Sequence, residues 1–222
     1  MDAICLCLDK RIDEWSKLEE DCNNRGIKFH KFIAGDGSNK ELKYDYIDVE
    51  NPDVSQFVYG REGFKHHHWN ALQCHKLMIK KAEEMELPYV LMLEDDSCFT
   101  SRFDKIFDGL EGFLPYFNWN IFYLGWWIGD QEDDFNTGIE NLWNQSQQSR
   151  IMPYNKNIGG FHGAILNKNV FPYLSSLPNN TSMDSMINNT QGIMKYIITP
   201  KIIHVKSMYS VTEGAFFNRK EY

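Results

Sequence analysis

No apolar run in the 222-residue chain approaches the ~20 residues of a membrane span. Its opening, "MDAICLCLDKRIDEW", lacks a basic segment followed by a long apolar one, so a secretory signal is not expected and the expected location is cytoplasmic. The net charge of −8 comes without any clustered Lys and Arg, which argues against a nucleic-acid partner, since that surface must displace counterions. The five cysteines, Cys5, Cys7, Cys22, Cys74 and Cys98, share no repeated spacing. They fit neither a disulfide framework nor a zinc motif and read as reduced core residues. Internal repeats and low-complexity segments are absent as well. An acidic protein that handles an anionic small molecule needs positive charge from elsewhere, and a bound divalent cation is one source.

What is present is enough apolar residue, 42%, for one sizeable core, so residues 1–222 are expected to form a single domain. "AICLCL" reads as a strand in which Cys5 and Cys7 face one side. Ile12, Trp15, Leu18 and Cys22 then recur at helical spacing. "IKFHKFIAG" alternates as a strand with Ile27, Phe29, Lys31 and Ile33 on one side, giving strand–helix–strand, the opening of an α/β unit. Residues 36–62 read as an irregular loop. A long helix runs from His66 to Glu86 and closes at Leu87-Pro88. "YVLML" reads as a strand buried on both faces. A helix stopped by Pro115, the strand "NIFYLGWW", a polar and mobile segment over 129–157, and strands "GAILN" and "YIITPKIIHV" complete the chain. Helices are expected around Val170 to Leu174 and after Ser182.

Glu94, Asp95 and Asp96 follow the buried strand "YVLML" directly. In open α/β sheets ligands bind beyond the carboxyl ends of strands. If the extended conformation persists, Glu94 and Asp96 share a face and Asp95 points the other way. Like charges ~4 Å apart repel by about 4 kcal/mol at an effective dielectric near 20, so a packed strand end calls for a cation. Hard oxygen ligands suit Mg2+ or Mn2+. A solvated acidic turn reads equally well. Asp184, two residues past the N-cap candidate Ser182, is open to a dipole-complementing role. His68 and His75 share a helical face, but "KHHHW" matches no short metal motif. Trp126, Trp127 and Trp143 flank the polar segment and read as core residues or as sugar-stacking ones.

The order of segments resembles the bacterial lipooligosaccharide and collagen-modifying glycosyltransferases of family 25 over roughly residues 2–210. The carriers are "CLCLDKRIDEW", "GIKFHKFIAGDG", "REGFKHHHWNALQCHKLM", "YVLMLEDD", "WNIFYLG", "HGAILNKNVFPYL" and "TSMDSMI". Gly63-Phe64 stands where the family has Gly-Cys, and His67-His68 where it has Ser-His. The resemblance implies a GT-A-like, Rossmann-related α/β fold with a mixed, mainly parallel sheet flanked by helices. It implies an inverting transfer of a sugar from a nucleotide-sugar donor, a UDP-sugar first among the candidates, to a hydroxyl of a glycan or glycosylated acceptor. A divalent metal, Mn2+ or Mg2+, would lie at Asp96 and Glu94, with His204 as a third ligand or as a structural histidine. Asp95 would reach the donor, and His68 would pack near it. Asp9 and Arg11 would contact the nucleotide, although Arg11 also fits a plain surface position. Asp36-Gly37 would meet the base or ribose, or form a simple turn. Asp184 would be the catalytic base, with Asp130, Glu132, Asp133 and Asp134 as rivals. A metal-dependent phosphohydrolase and a non-catalytic glycan-binding relative are the alternative readings.

Overall fold

The structure, a computed structural model, describes residues 1–34, 65–128, 138–139, 141 and 143–206 in full. It also describes the backbone of four short strands: β3 (Glu41–Tyr44), β4 (Ile47–Glu50), β12 (Met208–Ser210) and β13 (Ala215–Phe217). Asp36, Gly37 and the acidic rivals in 130–134 lie outside the described residues.

The chain begins as read, with β1 (Asp2–Leu8), α1 (Ile12–Asn24) and β2 (Lys28–Ala34). After α2 (Lys65–Glu84) come β5 (Tyr89–Glu94), β6 (Ser97–Phe99) and α3 (Phe103–Phe113), then β7 (Ile121–Tyr123). The second half holds β8 (Arg150–Pro153), β9 (Gly163–Asn167), α4 (Phe171–Ser176), α5 (Met183–Asn188), β10 (Lys195–Thr199) and β11 (Ile203–Val205). Seven strands form one sheet in the order β2-β1-β5-β9-β7-β10-β8. Five run one way, while β9 and β8 run against their neighbours. The sheet is mixed and mainly parallel, compatible with a GT-A-like fold, as expected from the sequence. No helix among the described residues is long and apolar enough to cross a membrane.

Alternation along the strands divides the core into two layers. Ile4, Val90 and Met92 pack with α2, α4 and α5 on one face; Ala3, Cys5, Cys7, Leu91 and Leu93 pack with α1 and α3 on the other. Val90 to Leu93 are wholly buried, each contributing roughly 1.5–3 kcal/mol over an exposed position. That is why "YVLML" is continuous rather than alternating. Cys5, Cys7, Cys22 and Cys74 are buried free thiols.

Five local expectations are corrected. In β2 it is Phe32 and Ala34 that are buried while Ile33 is 45% exposed, because β2 is the sheet's edge and its last residues lean on the α2 layer. The segment 36–62 is not wholly irregular, since β3 and β4 pair as an antiparallel ladder. The polar segment 129–157 contributes β8, an edge strand whose polar sequence masked it. "NIFYLGWW" supplies only three strand residues, and "YIITPKIIHV" splits into β10 and β11 around Pro200.

Candidate functional site

The first connection of the chain carries it from β1 outward to β2, and β5 then adds on the other flank of β1. The carboxyl ends of β1 and β5 thus sit where the direction of winding reverses, the usual place for a ligand crevice. A cleft of about 730 Å3 lies there, within the range of small-molecule sites. Leu6, Leu8 and Arg11 border it from β1 and the turn after it, Ala34 from β2, and Glu94, Asp95 and Asp96 from the end of β5. His68 and His75 border it from α2, Ile158 and Gly159 from the loop leading into β9, and Asp184 and Asn188 from α5.

The chain does not stay extended through the carboxylates. Asp95 and Asp96 form a turn between β5 and β6, closed by Glu94 N–H donating to Ser97 Oγ at 3.0 Å. Ser97 in turn donates to the His162 carbonyl at 2.7 Å, tying the turn to the loop before β9. Asp95 is buried: its Oδ2 accepts from Leu8 N–H at 3.0 Å and its Oδ1 meets Arg11 Nη1 at 2.8 Å. Burial pushes the Asp95 carboxyl above its ordinary value, against the pull of Arg11 and Leu8 N–H. Arg11 and Asp95, both expected at the donor, therefore hold one another and fix the end of β1 against the end of β5.

Asp9 is exposed in the 3-10 turn Asp9–Arg11 and does not border the cleft. His204, in β11, pairs across from Cys98 of β6 and is also outside the cleft lining. The expected trio Glu94, Asp96 and His204 is not brought together: among the described residues no three His, Cys, Asp or Glu side chains form a metal-holding group. The turn places Glu94 and Asp96 on the cleft, whereas His204 sits in β11, which pairs with β6 beyond that turn. Two carboxylates still suit a hard divalent ion that keeps phosphate oxygens and water in its shell, since such ions take one or two protein carboxylates. Glu94 Oε1 also lies 3.3 Å from His75 Nε2.

Asp184 is a strongly perturbed acid of the cleft. Ser182 caps α5 by accepting from Ser185 N–H, which sets Asp184 in the first helical turn as expected. Burial pushes its carboxyl from the ordinary 3.8 up to about 6, reinforced by Glu94 and opposed by His75, the Gly160 N–H and Lys195. Its Oδ1 has no hydrogen-bond partner among the described residues. Behind it lie two groups that sequence reasoning missed. The Tyr123 hydroxyl is buried and unpartnered, and burial together with the charge of Asp184 raises its pKa well above normal. Lys195 is buried, its pKa lowered by desolvation, and its Nζ donates to Asn188 Oδ1 at 2.9 Å and the Lys156 carbonyl at 3.1 Å. Asn188 also exchanges hydrogen bonds with the Ile158 backbone, at 2.9 and 3.2 Å, which ties α5 to the loop before β9. His75 had been placed on the same helical face as His68, the signal that could have found it; Lys195 gave none.

No family model matches the chain, and no curated protein matches it. Among solved structures it is similar to A197 from STIV, with 7% identity and a TM-score of 0.44 over 89% of this chain and 81% of that one. It is also similar to mouse xyloside xylosyltransferase 1 in its apo form, with 9% identity and a TM-score of 0.32 over 79% of this chain and 72% of that one. Likenesses this distant transfer no function, and the reading of the cleft stands on its own residues.

Proposed function

We propose that the protein is a glycosyltransferase that moves a sugar from a nucleotide-sugar donor to a hydroxyl of a glycan or glycosylated acceptor. The observation that carries this reading is the shared cleft. A carboxylate with a pKa near 6 and a free oxygen, Asp184, faces the same 730 Å3 space as Glu94 and Asp96. One group is suited to take a proton from an attacking hydroxyl, the others to accommodate a cation beside a leaving diphosphate.

In this reading Asp184 accepts the proton of the acceptor hydroxyl as its oxygen bonds to the anomeric carbon, and the bond from that carbon to the diphosphate breaks with inversion. Asp96 and Glu94 would hold Mn2+ or Mg2+, which when bound supplies Lewis-acid stabilisation of the departing phosphate. Arg11 opposes the upward push of burial on Asp95 and ties the end of β1 to the end of β5, and His75 Nε2 lies 3.3 Å from Glu94 Oε1 beside the cleft.

The test is a panel of nucleotide sugars with Mn2+ and a set of simple glycans, read by release of nucleoside diphosphate and by mass of the product. Transfer is expected with at least one donor. Asp96→Ala and Asp184→Asn are expected to cut kcat by at least ~100-fold, the usual scale for a general base. Phosphate release with no glycan product, or full activity in folded Asp96→Ala, would overturn the reading.

A further inference from the structure

Two adjacent tryptophans end the segment after β7, and the fold treats them oppositely. Trp126 is 1% exposed, and its Nε1 donates to the Ile198 carbonyl at 2.9 Å. Trp127 is 55% exposed and borders the cleft. Leaving an indole bare forgoes much of the burial free energy its size offers. Nor is its backbone loose: Trp127 and Gly159 exchange both hydrogen bonds at 2.9 Å, forming an antiparallel bridge.

Gly159 separates this indole from the base. A Cβ built on it would lie 3.7 Å from Trp127 Cε3 and 3.5 Å from Asp184 Oδ2. Those are ordinary contact distances, and Gly159 does not have the positive φ that would call for glycine, unlike its neighbour Gly160. Neither backbone conformation nor a clash requires a glycine here. Its missing side chain leaves a methyl-sized space between a flat apolar ring and Asp184 Oδ2, the carboxylate oxygen on that side.

We infer that Trp127 and Gly159 form the acceptor subsite, with a pyranose ring stacked on the indole and one ring hydroxyl turned toward Asp184. A pyranose presents an apolar C–H face and a rim of hydroxyls, the combination that an exposed indole beside a carboxylate complements. This rests on the transferase reading and deepens it: the acceptor is a sugar ring, rather than a peptide or lipid hydroxyl. The open Gly159 admits the ring edge, and its closure would exclude it.

The experiment titrates methyl β-D-glucopyranoside, methyl β-D-galactopyranoside and methyl α-D-mannopyranoside into the full chain labelled at its indole nitrogens. The Trp127 resonance is identified by its loss in Trp127→Phe. At least one glycoside is expected to shift that resonance saturably. By titration calorimetry, which reads binding where the Trp127 resonance is gone, its Kd is expected to rise about tenfold or more in Trp127→Ala, less in Trp127→Phe, and binding to vanish in Gly159→Val. Thermal unfolding of each variant checks that it folds. No saturable shift up to about 50 mM, well above the usual substrate range, overturns the inference, as does an unchanged Kd in folded Trp127→Ala. Binding at Trp127 without transfer from any nucleotide donor would remove the transferase reading and keep the subsite. Transfer whose acceptor KM is unchanged in Trp127→Ala would do the reverse.

Discussion

Asp184 is ionised only above about pH 6, so a rate that depends on it as a base should rise through that pH and level off above it. The same shift bears on stability with a definite sign. The folded protein holds the Asp184 proton more tightly than the unfolded chain does. The cost of ionising it is therefore absent below the ordinary 3.8, grows as pH rises, and is complete above about 6. Asp184→Asn removes that cost. It should stabilise the protein by about 1–3 kcal/mol at pH 8 and by almost nothing at pH 4. Urea unfolding at the two pH values measures this; equal effects at both would contradict it. At this scale the placement of Glu94 and Asp96 at a strand end and of Asp184 in a first helical turn could be seen in the sequence, because strand ends and helix caps are local signals. The pairing of Arg11 with Asp95 and the approach of His75 to Glu94 could not, because each depends on how β1, β5 and α2 meet.

Between elements, packing is close where the loop before β9 crosses the end of β7. Gly160 has φ +137, and a Cβ there would fall 2.4 Å from the Gly125 carbonyl oxygen; at Gly125 a Cβ would come 2.7 Å from the Ile203 carbonyl oxygen. Gly160 also supplies the N–H that bonds Asp184. Gly160→Ala should therefore cost about 3 kcal/mol or more in thermal or denaturant unfolding, since both φ and backbone sterics oppose it. Gly26→Ala, also at positive φ but with open space around its Cβ, should cost less. The buried strands β1, β5 and β9 were readable as continuous apolar runs. Of the edge strands, β2 was readable as an alternating strand but not in which residues it buries, and β8 has too few apolar residues to register, since an edge is only partly buried.

At the scale of the whole molecule, a ligand that binds only the folded state raises stability by mass action, about 2.7 kcal/mol at a hundred times its Kd. Nucleoside diphosphate with Mn2+ should thus raise the melting temperature, and the increment should be lost in Asp96→Ala; an equal increment in that variant would place the diphosphate elsewhere. The layout of the sheet also says where the protein tolerates change. Because β9 enters from the cleft side, its leading loop carries Gly159 and Gly160, and its trailing end, at the exposed Lys168 and Asn169, emerges on the opposite rim. New chain termini, fusion partners or labels introduced at 168–169 would lie away from the cleft, whereas substitutions meant to reshape it belong at Asn157 and Gly159, which border it, and not at the strained Gly160 or the buried Ile158 and Phe161.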